Sequence, residues 1–127
     1  MNLANQLEFV TVEYGGSTAH DKDDAAVKAI ADSHGVTLNF ANVTVRESEG
    51  YGVYLAASAV LPALRQNTFT KNTLGPLYIG SEAAHQLEAT TTYTGNDIDR
   101  VHVHASRVKR TVTWQDIGVP YELDGKA

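Results

Sequence analysis

The chain has 127 residues, a length that suits one domain. Hydrophobic residues make up 43% and charged residues 20%, values that are ordinary for a globular protein and disfavour disorder or a collagen-like fold. The formal net charge is -5, from 10 Lys and Arg against 15 Asp and Glu, which is the wrong sign for a general nucleic-acid binder. Without cysteines, disulfides, thiolate metal sites and a Cys nucleophile are excluded. No run approaches the ~18 apolar residues of a membrane-spanning helix, and residues 1–6 lack signal-peptide character, so we expect neither membrane insertion nor an export signal.

Between residues 36 and 105 the sequence repeats itself at an offset of 24 residues. Chemically similar residues recur in the pairs Val36 with Val60, Phe40 with Leu64, Thr44 with Thr68, Val45 with Phe69, and Ser48 with Asn72. Residues 53–55, 77–79 and 101–103 form equivalent triplets with apolar outer residues and a central Tyr or His. This alternation is typical of a strand with one buried face, and the period is too short for a βαβ unit. The pattern therefore predicts the stacked coils of a β-solenoid.

The first predicted coil is longer than the later ones. Residues 10–12 match residues 43–45 at an offset of 33, nine more than the later period. We assign the excess to residues 15–24, which are polar and lack periodicity, as a loop bulging from the coil. Residues 24–32 are compatible with a short helix, but we favour a strand of the preceding coil over residues 27–30.

The later turn residues fall between the predicted strands, at 49–50, 74–76 and 93–96, where Gly or Asn gives backbone freedom. The alternative fold is an antiparallel sandwich, whose strands recur every 8 to 12 residues or so. Two features disfavour it. No Asn-Gly or Asp-Gly hairpin joins two alternating runs before residues 124–125, and like residues recur after three strands.

Residues 5–16, 43–46, 50–55 and 67–72 resemble coils of bacterial right-handed parallel β-helix repeat proteins, of the pectin-lyase-like superfold. The tail resembles a linking segment of large secreted or surface members of that group, at residues 93–96, 99, 101, 103, 113–114 and 118–121. The resemblance implies an all-β fold, a short right-handed parallel β-helix or single-stranded solenoid of about 4–5 coils. It also implies an extracellular or cell-surface setting and no established reaction.

By the same resemblance the chain is a segment of a longer solenoid. We expect a single β-helix domain over residues 1–127, with the first coil and polar loop at 1–24, central coils at 25–105 and a capping segment at 106–127. Trp114, Pro120 and Tyr121 are expected to fold over the last coil. Coils about 4.8 Å apart would leave unpaired backbone groups at both ends of the stack. We therefore expect capping by the termini or self-association into a homo-oligomer through the solenoid ends.

Two candidate sites lie on the expected outer face. Tyr54, Tyr78 and His102 should stack as an outward ladder with about 4.8 Å between rungs. An aromatic stripe can bind polysaccharide, although stacking for stability alone is the simpler explanation. His102 and His104 form a His-x-His pair whose spacing suits a divalent transition metal. A third ligand would have to come from Asp97, Asp99 or His85, because the residues 24 positions earlier are Tyr78 and Gly80.

An enzyme on this fold would act on acidic polysaccharides. The segments 23–24, 33–35 and 107–109 resemble pieces of the glycoside hydrolase signature of polygalacturonases, but its Asn-Thr-Asp segment is absent. An inverting hydrolase needs two carboxyl groups roughly 6.5 to 9.5 Å apart on one face of the coil. The fragments that contain Asp23 and His34 are under half a period apart in sequence, so they should lie on different faces. A lyase would need an Arg or Lys base beside bound Ca²⁺, which no clustered pattern supplies. The acidic residues 20–24 lack EF-hand spacing and are best explained as a solvated loop.

The sequence thus predicts a non-catalytic structural or binding module, facing carbohydrate and associating with itself, with no cofactor unless a divalent metal binds at His102 and His104. The alternative is a polysaccharide-active enzyme, a glycoside hydrolase or lyase. The inward columns are predicted as Val45 with Phe69, Val53 with Leu77 and Val101, and Leu55 with Ile79 and Val103.

Overall fold

The computed structural model describes residues 5–15, 25–29, 36–55, 59–60, 64–81, 83–104 and 113–124. These residues form short strands and one 3-10 turn, and no α-helix occurs among them. The elements are β1 Asn5–Glu8, β2 Thr11–Glu13, β3 Ala25–Ala29, β4 Val36–Ala41, β5 Thr44–Arg46, β6 Tyr51–Leu55, β7 Ala59–Val60, β8 Leu64–Arg65, β9 Thr68–Thr70, β10 Gly75–Gly80, the 3-10 turn Ala84–Gln86, β11 Val101–His104 and β12 Tyr121–Asp124. In this described part, no helix is long and apolar enough to cross a membrane.

The strands follow one another in five successive repeats. Repeat 1 spans residues 5–29, repeat 2 residues 36–55, repeat 3 residues 59–80, repeat 4 residues 84–104 and repeat 5 residues 113–124. A first sheet contains β1, β4, β7 and β8, a second sheet has the order β2-β5-β9, and a third has the order β3-β6-β10-β11-β12. Each sheet therefore joins equivalent strands of neighbouring repeats.

All described strand pairs are parallel, which confirms the predicted all-β, parallel architecture. The 24-residue offset is the observed register in the pairs Phe40 with Leu64, Thr44 with Thr68, Val45 with Phe69, Val53 with Leu77, Tyr54 with Tyr78, Leu77 with Val101 and Tyr78 with His102. The 33-residue offset of the first coil is also confirmed, since Val12 lies opposite Val45. The antiparallel sandwich is wrong for the described strands, because none of them pairs in opposite directions.

Two details of the predicted register need correction. Val36 pairs with Ala59 rather than Val60, so β7 lies one residue out of the 24-residue register before β8 restores it. The last repeat is shorter, because Val101 pairs with Tyr121 at an offset of 20. The strand favoured near residue 27 is present as β3, and it pairs with β6 as the third strand of repeat 1. Residues 16–24 of the predicted loop lie outside the described residues.

In repeats 1 to 3 the chain turns two corners through left-handed backbone conformations, and repeat 4 has one of them. Positive φ angles recur at Phe9 (53°), Asn42 (55°) and Gln66 (55°) at one corner, and at Tyr14 (60°), Glu47 (58°), Lys71 (56°) and Gly95 (87°) at the other. Such angles are uncommon outside Gly, Asn and Asp, so their recurrence at equivalent positions shows that repeat geometry overrides local preference. The corners separate the sheets and set the length of each repeat.

Asparagine side chains link the backbones of successive repeats just after these corners. The Asn72 Oδ1 accepts a hydrogen bond from the Ser48 N–H at 3.2 Å, and its Nδ2 donates to the Val45 carbonyl at 3.3 Å. One repeat later, the Asn96 Oδ1 accepts from the Asn72 N–H at 3.0 Å, and its Nδ2 donates to the Phe69 carbonyl at 3.0 Å. The amides therefore pair backbone groups of the preceding repeat that a corner leaves without strand partners.

Asn67 makes the same pair of bonds at the other corner. Its Oδ1 accepts from the Val43 N–H at 2.9 Å, and its Nδ2 donates to the Phe40 carbonyl at 3.2 Å. In all three asparagines the N–H donor lies 24 residues earlier and the carbonyl acceptor 27 residues earlier. The repeat is thus specified by side-chain hydrogen bonds as well as by apolar packing.

The core lies between the sheets and includes the predicted inward columns. Val45 and Phe69, then Val53, Leu77 and Val101, and then Leu55, Ile79 and Val103 are all at most 1% exposed. Tyr93 continues the column of Phe69, with ring centroids 6.1 Å apart. Its hydroxyl donates to the Glu88 carbonyl at 3.1 Å, so a large polar side chain is buried with its hydrogen bond satisfied.

Candidate functional site

The outer face of the third sheet carries one column of aligned side chains. We call this column, Lys28–Tyr54–Tyr78–His102–Glu122, the outer column, because each member lies opposite the next in the parallel register. It is produced by alternation, since the neighbours of its Tyr and His residues along the chain are the apolar residues of the inward columns. The sequence prediction that Tyr54, Tyr78 and His102 lie one above another is confirmed.

The rings of the outer column pack on one another. The Tyr54 and Tyr78 centroids are 5.0 Å apart with planes 20° apart, and those of Tyr78 and His102 are 4.9 Å apart and tilted by 46°. The Lys28 Nζ lies 5.5 Å from the centroid of the Tyr54 ring. These separations match the spacing of neighbouring strands, about 4.8 Å, so the sheet itself sets the ring geometry.

This packing limits what the column can bind. Tyr54 has Lys28 over its ring and Tyr78 stacked on it, and Tyr78 is only 6% exposed. A sugar that stacks on an aromatic residue needs an open ring face, whereas these faces are covered by neighbouring side chains. The column presents ring edges, tyrosine hydroxyl groups and the His102 imidazole, and the polar groups among these can form hydrogen bonds.

Tyr51 also contacts the outer column, which the repeating triplets do not predict. Its hydroxyl lies 2.7 Å from His102 Nδ1, and its ring packs edge-on against Tyr78 with centroids 5.3 Å apart. Strict alternation would place Tyr51 on the side of Val53, but it breaks at Gly52. A Cβ there would lie 2.7 Å from the Pro76 carbonyl oxygen, so no larger residue fits without a shift. The sequence offers only Gly52 itself at this point, and a glycine alone does not show that the alternation breaks there.

Each histidine of the predicted metal pair has a ring nitrogen close to a tyrosine hydroxyl. His102 Nδ1 lies 2.7 Å from the Tyr51 hydroxyl, and His104 Nδ1 lies 3.4 Å from the Tyr78 hydroxyl. Gly80 lies opposite His104, as the spacing predicted. In the part of the chain that the structure describes, no three His, Asp or Glu side chains are grouped as a metal site would require. Metal binding at His102 and His104 stays a prediction.

The suggested third ligands have other contacts. Asp99 accepts hydrogen bonds from the backbone N–H groups of Asn96 at 2.8 Å and Gly95 at 3.2 Å, which fixes the corner of repeat 4. His85 lies in the 3-10 turn, where its Nε2 is 2.8 Å from Gln86 Nε2. Asp97 is exposed in the same corner as Asp99. Asp99 is therefore better explained as a turn-stabilising residue than as a ligand.

Ion pairs lie on the outer surface beside the columns. Glu122, the last member of the outer column, pairs with Arg100 at 3.0 Å. On the second sheet, Glu13 pairs with Arg46 at 2.9 Å, and both side chains are more than one third exposed. Exposed pairs of this kind contribute roughly 0–1 kcal/mol each, so they fix neighbouring repeats only weakly.

The second sheet presents a different outer face. Thr11, Thr44, Thr68 and Thr92 lie in register across four repeats. Threonine suits a strand because its branched side chain packs on the pleated surface. This face therefore differs from the outer column in carrying small hydroxyl groups instead of rings.

Several sequence-predicted features lie outside the described residues. These are the acidic segment 20–24 and the hydrolase-like fragments 23–24, 33–35 and 107–109. Trp114 and Tyr121 are described: their rings are 5.0 Å apart and pack against the core. Tyr121 also begins β12, a strand that the sequence analysis assigned to the capping segment.

Comparison of the chain with protein-family models, with curated proteins and with solved structures gave no significant match.

Proposed function

We propose that the chain is a short right-handed parallel β-helix that acts as a non-catalytic structural or binding module, in the extracellular or cell-surface setting that the sequence resemblance implies. Parallel strands that return in the same order through short connections suit such a coil, and parallel crossovers are almost always right-handed. Self-association and contact with polysaccharide belong to the same proposal.

The observation that carries the proposal is the repetition of the asparagine bonds. Asn67, Asn72 and Asn96 each bind the backbone at the same two sequence separations, 24 and 27 residues. Such bonds recur only if each repeat is stacked on the previous one in the same orientation. Buried amide groups that form the same hydrogen bonds in successive repeats stabilise a regular stack.

The roles of the acidic residues favour a module over an enzyme. Glu13, Glu47 and Glu122 form ion pairs with Arg46, Lys71 and Arg100. Asp99 and Asp116 accept backbone N–H groups within turns. Hydrolysis of a glycosidic bond needs two carboxyl groups facing each other across the substrate. The acidic side chains named here instead stabilise turns and neighbouring strands.

The test combines an activity assay with a binding assay on the full chain. Incubation with polygalacturonate and other acidic polysaccharides should release no reducing ends and no unsaturated products. Release of either would overturn the non-catalytic assignment in favour of a glycoside hydrolase or lyase.

The polysaccharide part of the proposal rests on the polar edges of the outer column and on His104 beside it, whose Nδ1 lies 3.4 Å from the Tyr78 hydroxyl. His104 is exposed, so His104→Ala should leave the melting temperature nearly unchanged. It should nevertheless lower retention on an immobilised acidic polysaccharide if the column binds sugars. Thr94→Ala, an exposed change away from the column, is the control. Equal retention of both variants and the wild type would contradict polysaccharide binding at this face.

A further inference from the structure

One exposed apolar side chain lies at an inward position at the end of the described stack. Among the described residues the large exposed apolar side chains are Phe9 (79%), Tyr14 (77%), Leu123 (68%) and Ile98 (40%). Phe9 and Tyr14 lie at the left-handed corners of repeat 1, whereas Leu123 lies on β12. Leu123 lies opposite the fully buried Val103, so it occupies the next position of an inward column, and no described repeat covers it.

The two ends also carry opposite charges at equivalent positions. β3 and β12 are the two edge strands of the third sheet. The outer column begins with Lys28 on β3 and ends with Glu122 on β12. The remaining members between them are two tyrosines and a histidine, so the charges of this column are confined to its ends.

We propose that a second copy of this chain stacks head-to-tail on the first, with β12 of one copy pairing in parallel with β3 of the next. The inference rests on the proposed function, since it extends the same β-helix across two chains. Glu122 of one copy would then lie about 4.8 Å along the column from Lys28 of the next, and repeat 1 of that copy would cover Leu123. The two edge strands of the described sheet, β12 and β3, would then hydrogen-bond to each other as neighbouring strands do within one chain.

Charge selects this orientation over the alternatives. Two β12 edges would bring two copies of Glu122, each paired with its own Arg100, to one junction, and two β3 edges would bring two copies of Lys28 together. Like charges directly opposite one another on paired strands are destabilising, whereas opposite charges are favourable. A head-to-tail contact uses two different surfaces and does not close on itself, so it produces open stacks rather than dimers alone.

The first test uses sedimentation velocity over a concentration series of the full chain. The wild type should exceed the monomer and the dimer as its concentration approaches ~1 mM. Leu123→Asp should remain monomeric with the wild-type circular dichroism, because the side chain is exposed in the monomer. Ile98→Asp, a matched change in a lateral turn, should associate like the wild type. A wild type that stays monomeric, or that stops at the dimer, would overturn the proposal.

The second test reverses the end charges. Lys28→Glu and Glu122→Lys should each weaken association at least about tenfold. An equimolar mixture of the two variants should restore it, since each junction then pairs opposite charges. Lys71→Glu makes the same change on repeat 3 and should have no effect on stacking. Wild-type association of Lys28→Glu would overturn the proposal.

The two proposals fail separately. Wild-type chains that stay monomeric while the polysaccharide assays release no products would remove head-to-tail stacking and the self-association part of the proposed function, and would leave the non-catalytic assignment intact. Cleavage of polysaccharide by chains that stack would remove the non-catalytic assignment and leave head-to-tail stacking intact.

Discussion

The middle and end repeats contain the same kinds of strand but differ in what covers them. Leu55, Ile79 and Val103 in repeats 2, 3 and 4 are at most 1% exposed, whereas Leu123, the next position of the same column, is 68% exposed. In this column a side chain is buried where a described repeat follows it. In a stack of this kind, stability is the sum of contacts between neighbours, so equivalent substitutions should have unequal effects.

The largest expected effect is a charge in the middle of the stack. Leu77→Asp should destabilise the fold by about 4 kcal/mol or more, because it removes a buried side chain and leaves a carboxylate without a partner. Leu123→Asp makes the same change at the end and should cost no more than about 1 kcal/mol. Urea denaturation followed by circular dichroism measures both. A soluble Leu77→Asp chain with the native spectrum would contradict the inward column.

Removing the central ring of the outer column should have the next largest effect. Tyr78→Ala should cost about 2 to 4 kcal/mol, because the ring is buried among Tyr51, Tyr54 and His102. Tyr14→Ala in repeat 1 removes an exposed ring and should cost much less. Retention on immobilised polysaccharide should fall only in proportion to the unfolded fraction of Tyr78→Ala. A larger loss by the folded fraction would show that the ring contacts the sugar.

The asparagine hydrogen bonds give a smaller contrast, between the buried Asn72 and the half-buried Asn96. Asn72→Ala should cost about 2 to 3 kcal/mol, since it leaves the Ser48 N–H and the Val45 carbonyl without their partner. Asn96→Ala should cost less, because Asn96 is half-buried and water can replace part of its bonds. Thermal melts followed by circular dichroism compare the two. Equal costs would show that the difference in burial between Asn72 and Asn96 does not affect the strength of their hydrogen bonds.

The smallest effect is a loss of stability at alkaline pH. Burial raises the pKa of the Tyr93 hydroxyl well above its ordinary 10.0, and burial together with Asp116 raises the pKa of Tyr121. The unfolded chain would release these protons near pH ~10 while the folded chain keeps them, so the free energy of unfolding should fall as the pH rises above about 10. Tyr93→Phe should reduce this slope more than Tyr121→Phe. Urea titrations at a series of alkaline pH values test it, and an unchanged slope in Tyr93→Phe would contradict the assignment.

Much of the fold could be predicted because side chains that lie over one another tend to be similar. The Val, Leu and Ile triplets revealed both the register and the inward columns, and they placed Tyr54, Tyr78 and His102 on one face. The shift at Val36 was missed because the match to Val60 is chemically as good as the pairing with Ala59. Apolar similarity alone does not distinguish neighbouring registers on short strands.

The rest depended on backbone geometry and polar contacts. Tyr51 was missed because the alternation breaks at Gly52, which only the close approach of the Pro76 carbonyl reveals. The roles of Asn67, Asn72 and Asn96 follow from the left-handed corners that precede them, and Gln66 and Lys71 give no compositional sign of such corners. Polar contacts also decide the position of Asp99, which was suggested as a third metal ligand. Its carboxylate accepts hydrogen bonds from the backbone N–H groups of Gly95 and Asn96.

The most direct test of the account is disulfide formation between residues 24 positions apart, in a chain that has no cysteine of its own. Thr44 and Thr68 are neighbours in register on β5 and β9, and Thr92 pairs with Thr68 on the far side. Thr44→Cys combined with Thr68→Cys should oxidise to an intramolecular disulfide, because neighbouring strands lie about 4.8 Å apart. Thr44→Cys combined with Thr92→Cys should not, because two strand spacings exceed the roughly 7 Å that a disulfide spans. Cross-linking of the second pair, or failure of the first in folded protein, would contradict parallel stacking of the repeats.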